Sequence, residues 1–88
     1  MKIKSIAILG STGSIGQTAL EIIKKTNKFK VVLIVANSNY LKILSQIRNF
    51  KPKIVIINDT KVFLKIKKIN KLKKIIISNN INNIEKYI

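Results

Sequence analysis

Three glycines spaced three residues apart, Gly10, Gly13 and Gly16, constrain this chain more than any other feature. They follow the apolar run Ile6–Leu9 and open an amphipathic segment, which predicts the order strand, tight turn and helix. Such a turn presents backbone N–H groups and the positive end of the helix dipole to an anion. The spacing therefore favours a nucleotide-binding turn, although a purely structural turn between a strand and a helix leaves a similar trace.

The composition excludes several classes of site. The 88 residues contain no cysteine and no histidine, which excludes disulfides and any zinc or haem site that needs those ligands. The three carboxylates, Glu21, Asp59 and Glu85, lie far apart in the sequence, which argues against a paired acid/base site or a carboxylate-rich metal site. We therefore predict no catalytic and no metal-ligating residue in this chain.

The formal charge of +15 suggests an anionic partner, but other features of the sequence do not support a specific one. Nucleic-acid recognition favours arginine for its bidentate geometry, and Arg48 is the single arginine; the aromatic residues do not alternate with lysines in a stacking pattern. Lys, Ile and Asn all have A/T-rich codons, so compositional drift explains the charge better. We expect no specific nucleic-acid partner and only weak adhesion at low salt.

No segment of the sequence reads as a membrane anchor. The longest apolar run, Val31–Ala36, is far below the ~20 residues needed to span a bilayer. The apolar stretch after Lys4 is too short for a signal peptide and lacks a cleavage site of small residues. We expect no membrane partner and a cytoplasmic protein.

Strand patterns alternate with helical patterns along the chain. Strands are predicted over residues 3–9, 30–36, 54–57 and 75–77, and helices over 14–26, 40–50, a segment capped by Asp59 or Thr60, and a weak terminal segment 79–88. This alternation predicts an α/β fold with an incomplete Rossmann-type parallel sheet of about four strands. Residues 1–88 then form a partial Rossmann-type domain.

Hydrophobic periodicity predicts which residues face the core. The first strand should be mostly buried through Ile3, Ile6, Ile8 and Leu9. The predicted inward faces of the three main helices are Ile15, Ala19, Ile22 and Ile23 for the first, Leu41, Leu44 and Ile47 for the second, and Val62, Phe63, Ile66 and Ile69 for the third.

The end of the second strand predicts the cofactor. NAD-preferring folds place an acidic residue there to bind the adenosine ribose, whereas this chain has Asn37, Ser38 and Asn39 with Lys42 shortly after. Neutral donors and a nearby cation accommodate a 2′-phosphate, so NADP(H) is predicted over NAD(H). Asn and Ser are also preferred helix N-caps, and the two roles are compatible.

The string Gly10-Ser11-Thr12-Gly13-Ser14-Ile15-Gly16, followed by Thr18–Ile23, resembles the N-terminal region of 1-deoxy-D-xylulose 5-phosphate reductoisomerases. Further similar pieces are Phe29–Ala36, Ser38-Asn39, and Phe50-Lys51-Pro52 leading to Asp59. The resemblance implies cofactor contacts to the pyrophosphate of NADPH at Thr12, Gly13, Ser14 and Ile15, and to the ribose phosphate at Asn37, Ser38 and Asn39. The family usually has a glycine where Asn37 stands.

The resemblance also implies an activity that this chain alone should lack. Members of the family rearrange and reduce 1-deoxy-D-xylulose 5-phosphate to 2-C-methyl-D-erythritol 4-phosphate for isoprenoid synthesis, as homodimers with NADPH and a divalent metal, Mg²⁺ or Mn²⁺. Their metal ligands, substrate-phosphate site and histidine-bearing loop lie beyond the matched region, and so does the strand that would pair with the edge of strand one. We expect cofactor binding without catalysis, and binding of the phosphorylated sugar only in a full-length protein.

Two alternatives remain open on the sequence alone. One is the N-terminal segment of another NAD(P)-dependent reductase with a similar glycine turn. The other is a small basic nucleic-acid-binding protein that relies on its lysines.

Overall fold

The computed structural model describes residues 3–69 and 75–80. In that part of the chain strands and helices alternate, as predicted, with bounds within two residues of the expected ones. The terminal helix predicted over 79–88 falls mostly outside the described residues, and Asn79 and Asn80 are not helical. The elements are β1 (Lys4–Leu9), α1 (Ser14–Lys24), β2 (Phe29–Ala36), α2 (Tyr40–Phe50), β3 (Ile54–Ile57), α3 (Thr60–Ile69) and β4 (Ile76–Ser78).

Helix α1 ends two residues earlier than predicted because its hydrogen bonding changes. The N–H groups of Lys25 and Thr26 donate to the carbonyls of Ile22 and Ile23, three residues back, at 3.2 and 3.1 Å. Such bonds tighten the last turn and leave no α-helical continuation. The chain then turns into β2 through Lys28, whose N–H donates to Thr26 Oγ1 at 3.0 Å.

The four strands form one parallel sheet in the order β1-β2-β3-β4. Each crossover therefore moves one strand further in the same direction, and right-handed crossovers place all three helices on the same face of the sheet. Leu20, Ile43 and Phe63, one from each helix, accordingly belong to a single core cluster with β2 and β3. The opposite face carries a second buried cluster of Leu33, Val35, Ile54 and Ile56.

Strand β1 is less buried than predicted because it lies at the edge of the described sheet. Ile3 is 61% exposed and Leu9 is 64% exposed, while Ile6 and Ile8 are half-buried against the core. Every residue of β3, by contrast, is buried. The prediction of a mostly buried strand over residues 3–9 is therefore wrong at its two ends. Within the described sheet β1 pairs with β2 on one side and has no strand on the other, as expected.

The turn between β1 and α1 rests on two glycines with different roles. Gly10 has a φ of +68°, a left-handed conformation that residues with a Cβ adopt at a cost. Gly16 lies against that turn: a Cβ built on it would stand 2.3 Å from the Gly10 carbonyl oxygen and 2.9 Å from the Ser11 Cα. Gly10 therefore turns the chain, and Gly16 allows the helix to pack closely on the turn.

This close contact also explains why the predicted inward face of α1 is wrong at Ile15 and Ile22. Because Gly16 faces the sheet, helical periodicity brings in Leu20, which is buried, and Ile23, which packs on the core. Ile15 and Ile22 are instead 88% and 61% exposed. Ala19 is half-buried. The apolar residues of α1 thus occupy a wider part of the helix surface than the part that contacts the sheet.

The predicted inward face of α2 is confirmed at Leu44 and Ile47 and is wrong at Leu41. Ile43, Gln46 and Ile47 are buried, Leu44 is half-buried, and the predicted Leu41 is 74% exposed. The buried polar side chain in this stripe is the reason for the difference, because Gln46 points inward and contacts the β1–α1 turn. Lys51 ends the helix in a left-handed conformation, with a φ of +46°, and the buried Pro52 follows it.

Helix α3 follows the prediction more closely. Phe63 and Ile66 are buried and Val62 is half-buried; the side chain of Ile69 lies outside the described residues. The lysines of α3 are exposed, and so is Leu64. The next lysine along the chain, Lys71, lies outside the described residues. The aliphatic stripe faces the core while the ammonium groups stay in water. No helix in the described ranges is long and apolar enough to cross a membrane.

The corrected face of α2 gives a test of the core. Ile43→Ala removes a fully buried side chain and should lower the free energy of unfolding by about 2–5 kcal/mol through lost burial and a residual cavity. Leu41→Ala, on the exposed side of the same helix, should change it by less than about 0.5 kcal/mol. Chemical denaturation of both variants measures the difference, and equal losses would contradict this orientation of the helix.

The contact at Gly16 gives a second test. Gly16→Ala forces the helix away from the Gly10 carbonyl, so we expect a loss of about 1–3 kcal/mol in the free energy of unfolding, as for other overpacked sites. Gly13→Ala is the matched control, because a Cβ there meets its nearest neighbour at 3.4 Å and the backbone is already extended. Thermal unfolding of the two variants should separate them clearly; a Gly16→Ala protein as stable as Gly13→Ala would refute the close contact.

Candidate cofactor site

The β1–α1 turn is fixed to the neighbouring strand by backbone hydrogen bonds. The Ser11 N–H donates to the Val35 carbonyl of β2 at 3.0 Å, and the Gly13 N–H donates to the Gly10 carbonyl at 3.0 Å. The Gln17 N–H then donates to the Gly13 carbonyl at 2.9 Å, which is the first bond of helix α1. The turn is therefore a rigid connection between the end of β1, the end of β2 and the start of the helix.

The N-terminus of α1 differs from those of α2 and α3. Gly13 occupies its N-cap position and supplies no side-chain hydrogen bond. Helix α2 is capped by Asn39, whose Oδ1 accepts from the Lys42 N–H at 3.2 Å. Helix α3 is capped by Asp59, whose Oδ1 accepts from the Val62 N–H at 3.0 Å, in line with one of the two caps that the sequence suggests. The first-turn N–H groups of α1 are thus without a side-chain acceptor, which suits an anionic ligand.

The predicted pyrophosphate residues are grouped around this N-terminus. Gly13 and Ser14 are exposed, Thr12 is half-buried, and Ile15 is 88% exposed. Ser11, which also belongs to this turn, is placed differently. It is fully buried, and among the described residues its Oγ has no hydrogen-bond partner, so that hydroxyl is not open to a ligand.

The predicted ribose residues Asn37, Ser38 and Asn39 are exposed and lie between β2 and α2. Asn39 uses its Oδ1 for the helix cap, which leaves its Nδ2 group as a donor, so capping and ligand binding do not compete. The Asp59 N–H donates to the Asn37 carbonyl at 3.0 Å and brings an acid close to this segment. The Asp59 carboxylate, however, is engaged in capping α3.

The sheet brings the two predicted segments to the same edge. Strands β1 and β2 are parallel neighbours with Leu9 opposite Val35, so the turn after β1 and the residues after β2 both follow carboxyl ends of adjacent strands. In open parallel sheets ligands bind outside these carboxyl ends. Neither α1 nor α2 has an acidic residue in its first turn, whereas the Asp59 carboxylate caps α3 at this edge. The edge therefore favours an anionic ligand electrostatically.

Two glutamines that the sequence reasoning missed hold the turn from behind. Gln17 Nε2 donates to the Thr12 carbonyl at 2.8 Å, and Gln46 Nε2 donates to the Ser11 carbonyl at 2.7 Å. The one available sequence signal was Gln46 itself, a polar residue within the apolar positions Ile43 and Ile47. Both amides act on backbone carbonyls, and no spacing rule reports such contacts.

The described residues do not suit a metal ion. They contain no group of three or more His, Cys, Asp or Glu side chains that could bind one. Glu21 lies in the groove between α1 and α2, whereas Asp59 caps α3 at the end of β3. A divalent metal thus has no set of ligands in this part of the chain.

Comparison with known proteins gives one consistent result. The sequence profile of 1-deoxy-D-xylulose 5-phosphate reductoisomerase matches residues 6–86. The reductoisomerase of Pelagibacter ubique is 44% identical over 84 residues, which are 94% of this chain and 22% of the relative. That of Clostridium novyi is 51% identical over 65 residues, 73% of this chain and 17% of the relative.

Solved structures agree with the sequence matches. A reductoisomerase from Zymomonas mobilis in complex with NADPH has a TM-score of 0.71 at 25% identity, over 76% of this chain and 18% of that one. A DOX-P reductoisomerase in complex with NADPH, fosmidomycin and magnesium has a TM-score of 0.74 at 31% identity, over 94% of this chain and 21% of that one.

The chain spans about a fifth of the length of the relatives it matches. Within that span both the profile and the fold extend over nearly all of the sequence, from the glycine turn to the fourth strand. The agreement includes the Rossmann-type arrangement that the sequence predicts. The chain therefore belongs to the 1-deoxy-D-xylulose 5-phosphate reductoisomerase family, of which it is an N-terminal region.

Proposed function

We propose that residues 1–88 are the NADPH-binding part of an enzyme that converts 1-deoxy-D-xylulose 5-phosphate to 2-C-methyl-D-erythritol 4-phosphate in isoprenoid synthesis. The observation that carries the proposal is the N-terminus of α1, which lacks a side-chain cap. It lies beside the residues that follow β2, Asn37, Ser38 and Asn39, none of which is acidic. Residues that bind the substrate belong to the remaining length of such an enzyme. This chain alone binds the cofactor and catalyses nothing.

Thr12, Gly13, Ser14 and Ile15 surround the pyrophosphate. The donors are mainly the backbone N–H groups of Thr12, Ser14 and Ile15, because the Gly13 N–H already donates to the Gly10 carbonyl. The support is geometric: the turn is fixed by the bond from Ser11 to β2, and the helix dipole places partial positive charge at this point. The exposed side chain of Ile15 contributes its backbone rather than a polar group. A doubly charged diphosphate would supply the acceptors that Gly13 does not.

The ribose phosphate is bound by Asn37, Ser38 and Asn39 at the start of α2. Amide and hydroxyl donors, the helix dipole and the exposed Lys42 all favour the 2′-phosphate of NADPH. An acidic residue that would select the unmodified ribose is absent from this segment. The side chain at Asn37, where the family usually has glycine, adds one donor at this edge.

The bound cofactor would supply a hydride to the substrate aldehyde, and this chain's role is to bind and orient it. We assign the divalent metal and the phosphorylated sugar to the part of the family that lies beyond the region matched by this chain, and the described residues accordingly offer no group of three or more metal-ligating side chains. Some similar solved structures are complexes with magnesium and fosmidomycin, which supports that assignment for the whole enzyme. We propose a homodimer acting in the cytoplasm as its assembled form.

Cofactor titration tests the proposal directly. NADPH should bind the protein about tenfold more tightly than NADH at physiological salt, because one phosphate gains charge-assisted hydrogen bonds at the end of β2. Fluorescence of bound NADPH and competition by NADH measure the two affinities. Equal affinity, or a preference for NADH, would contradict the assignment of Asn37, Ser38 and Asn39.

A substitution in the turn tests the pyrophosphate contacts. Gly13→Val keeps an extended backbone that valine adopts readily, but its branched side chain crowds the exposed N–H groups, so NADPH affinity should fall more than tenfold. Ile22→Val, on the exposed side of the same helix, is the control and should bind NADPH as the unmodified protein does. Calorimetric titration gives both values, and undiminished binding by Gly13→Val would remove the turn from the site.

The high charge calls for a separate experiment on nucleic acid. Binding to mixed-sequence DNA should be weak, should disappear as salt rises to the physiological range, and should be unaffected by Gly13→Val. Fluorescence anisotropy with a labelled duplex across a salt series measures it. Tight binding of DNA at physiological salt, in a protein that does not bind NADPH, would favour the nucleic-acid alternative instead.

A further inference from the structure

The side chain of Gln46 connects helix α2 to the glycine turn across 35 residues of sequence. Its Nε2 donates to the Ser11 carbonyl at 2.7 Å, and the bond is buried. The orientation of the amide is fixed by chemistry, because a carbonyl oxygen only accepts and the atom facing it must therefore be the NH₂ group. Gln46 is 7% exposed, so this bond is shielded from water.

From this contact we propose that Gln46 is the positioning residue of the phosphate-binding turn, and that it sets the distance between the two cofactor-binding segments. The inference rests on the proposed NADPH site. Gln46 itself does not contact the cofactor. It acts through the Ser11–Thr12 peptide on one side and through helix α2 on the other.

The effect on the turn follows from peptide geometry. The Ser11–Thr12 peptide is trans, so its carbonyl and its N–H point in opposite directions. Since Gln46 draws the Ser11 carbonyl toward α2, the Thr12 N–H is directed away from the core. Within the described part of the chain no residue accepts a hydrogen bond from it. Gln46 thereby aims one donor of the turn outward, to where the pyrophosphate would lie.

The next peptide is held differently, and among the side-chain hydrogen bonds of the described residues Gln46 makes the one that joins the turn to α2. Gln17 holds the Thr12 carbonyl at 2.8 Å, but it belongs to α1, the helix that the turn itself opens. Gln46 belongs to α2, whose N-terminus carries the predicted ribose residue Asn39 as its cap. A bond from the middle of α2 to the turn after β1 therefore couples the two ends of the site.

Packing alone does not account for a glutamine at this position. Gln46 lies in the buried stripe with Ile43 and Ile47, and among the described residues its Oε1 has no hydrogen-bond partner. A buried polar atom without a partner is destabilising, so an apolar side chain would serve the core better. The retained amide is explained by what its NH₂ group does to the turn.

The experiment compares Gln46→Met with a packing control on the same helix. Methionine is similar in length and cannot donate to Ser11, so NADPH affinity should fall roughly fivefold, while the thermal midpoint stays within about 5 °C of the unmodified protein. Ile47→Val loosens the packing of α2 without touching the turn, and should leave NADPH affinity unchanged. A merely structural role for Gln46 would lower stability in both variants and affinity in neither.

A measurement on the unmodified protein keeps the test independent of whether the variants fold. In ¹⁵N NMR spectra, addition of NADPH should shift both the Thr12 backbone amide and the Gln46 side-chain amide, and the latter should be protected from hydrogen exchange beforehand. NADPH binding without a shift at Gln46, or undiminished affinity in Gln46→Met, overturns the positioning role and leaves the proposed function standing. Failure of the unmodified protein to bind NADPH overturns both.

Discussion

The contact between the first turn of α1 and the Gly10 carbonyl determines most of this structure. A Cβ on Gly16 would come within 2.3 Å of that oxygen, so only a glycine lets the helix lie this close to the end of β1. The contact fixes the rotation of α1, which decides that Leu20 faces the core and Ile22 faces solvent. It also sets the height of the helix N-terminus above the sheet. The anion site and the helix packing therefore depend on the same atom pair.

Charge is distributed along the axis that this contact establishes. In the described ranges, most basic residues lie at the amino ends of the strands and the carboxyl ends of the helices, namely Lys4, Lys24, Lys25, Lys28, Lys30, Arg48, Lys51, Lys53, Lys67 and Lys68. Cations there interact favourably with the negative ends of three parallel helix dipoles. The positive helix ends at the opposite edge have no acids in their first turns. A high net charge thus coexists with a cofactor edge that few lysines approach.

The sequence predicted the elements well because strand and helix periods are local properties. It predicted the orientation of α3, but for α1 and α2 it was wrong at Ile15, Ile22 and Leu41. Orientation is decided in part by contacts between distant residues. Ile15 and Leu41 have the spacing of core residues, yet Gly16 and Gln46 take the inward positions for reasons of close approach and hydrogen bonding. Strand β1 looked like a core strand since composition does not reveal position in a sheet.

The same limit applied to the candidate site. The glycine spacing and the polar residues after β2 indicated the two segments, and the parallel sheet places both at one edge. The buried position of Ser11 was beyond prediction, since a serine in a glycine turn normally suggests an exposed hydroxyl. The amide bonds of Gln17 and Gln46 to backbone carbonyls could not be read from residue types at all.

Three helices begin at this edge, and their different N-termini distinguish structure from binding. The side chains of Asn39 and Asp59 accept hydrogen bonds from first-turn N–H groups of α2 and α3, which is a common way to cap the N-terminus of a helix. Gly13 gives α1 no such cap, and a side chain there would occupy the space that an anion needs. Among the described helices, the stability that a side-chain cap would contribute is thus forgone at α1, whose turn is held by glycines, by β2 and by two glutamine amides. Rigid support from behind and open N–H groups in front are what a diphosphate site requires, and here both follow from the same few residues.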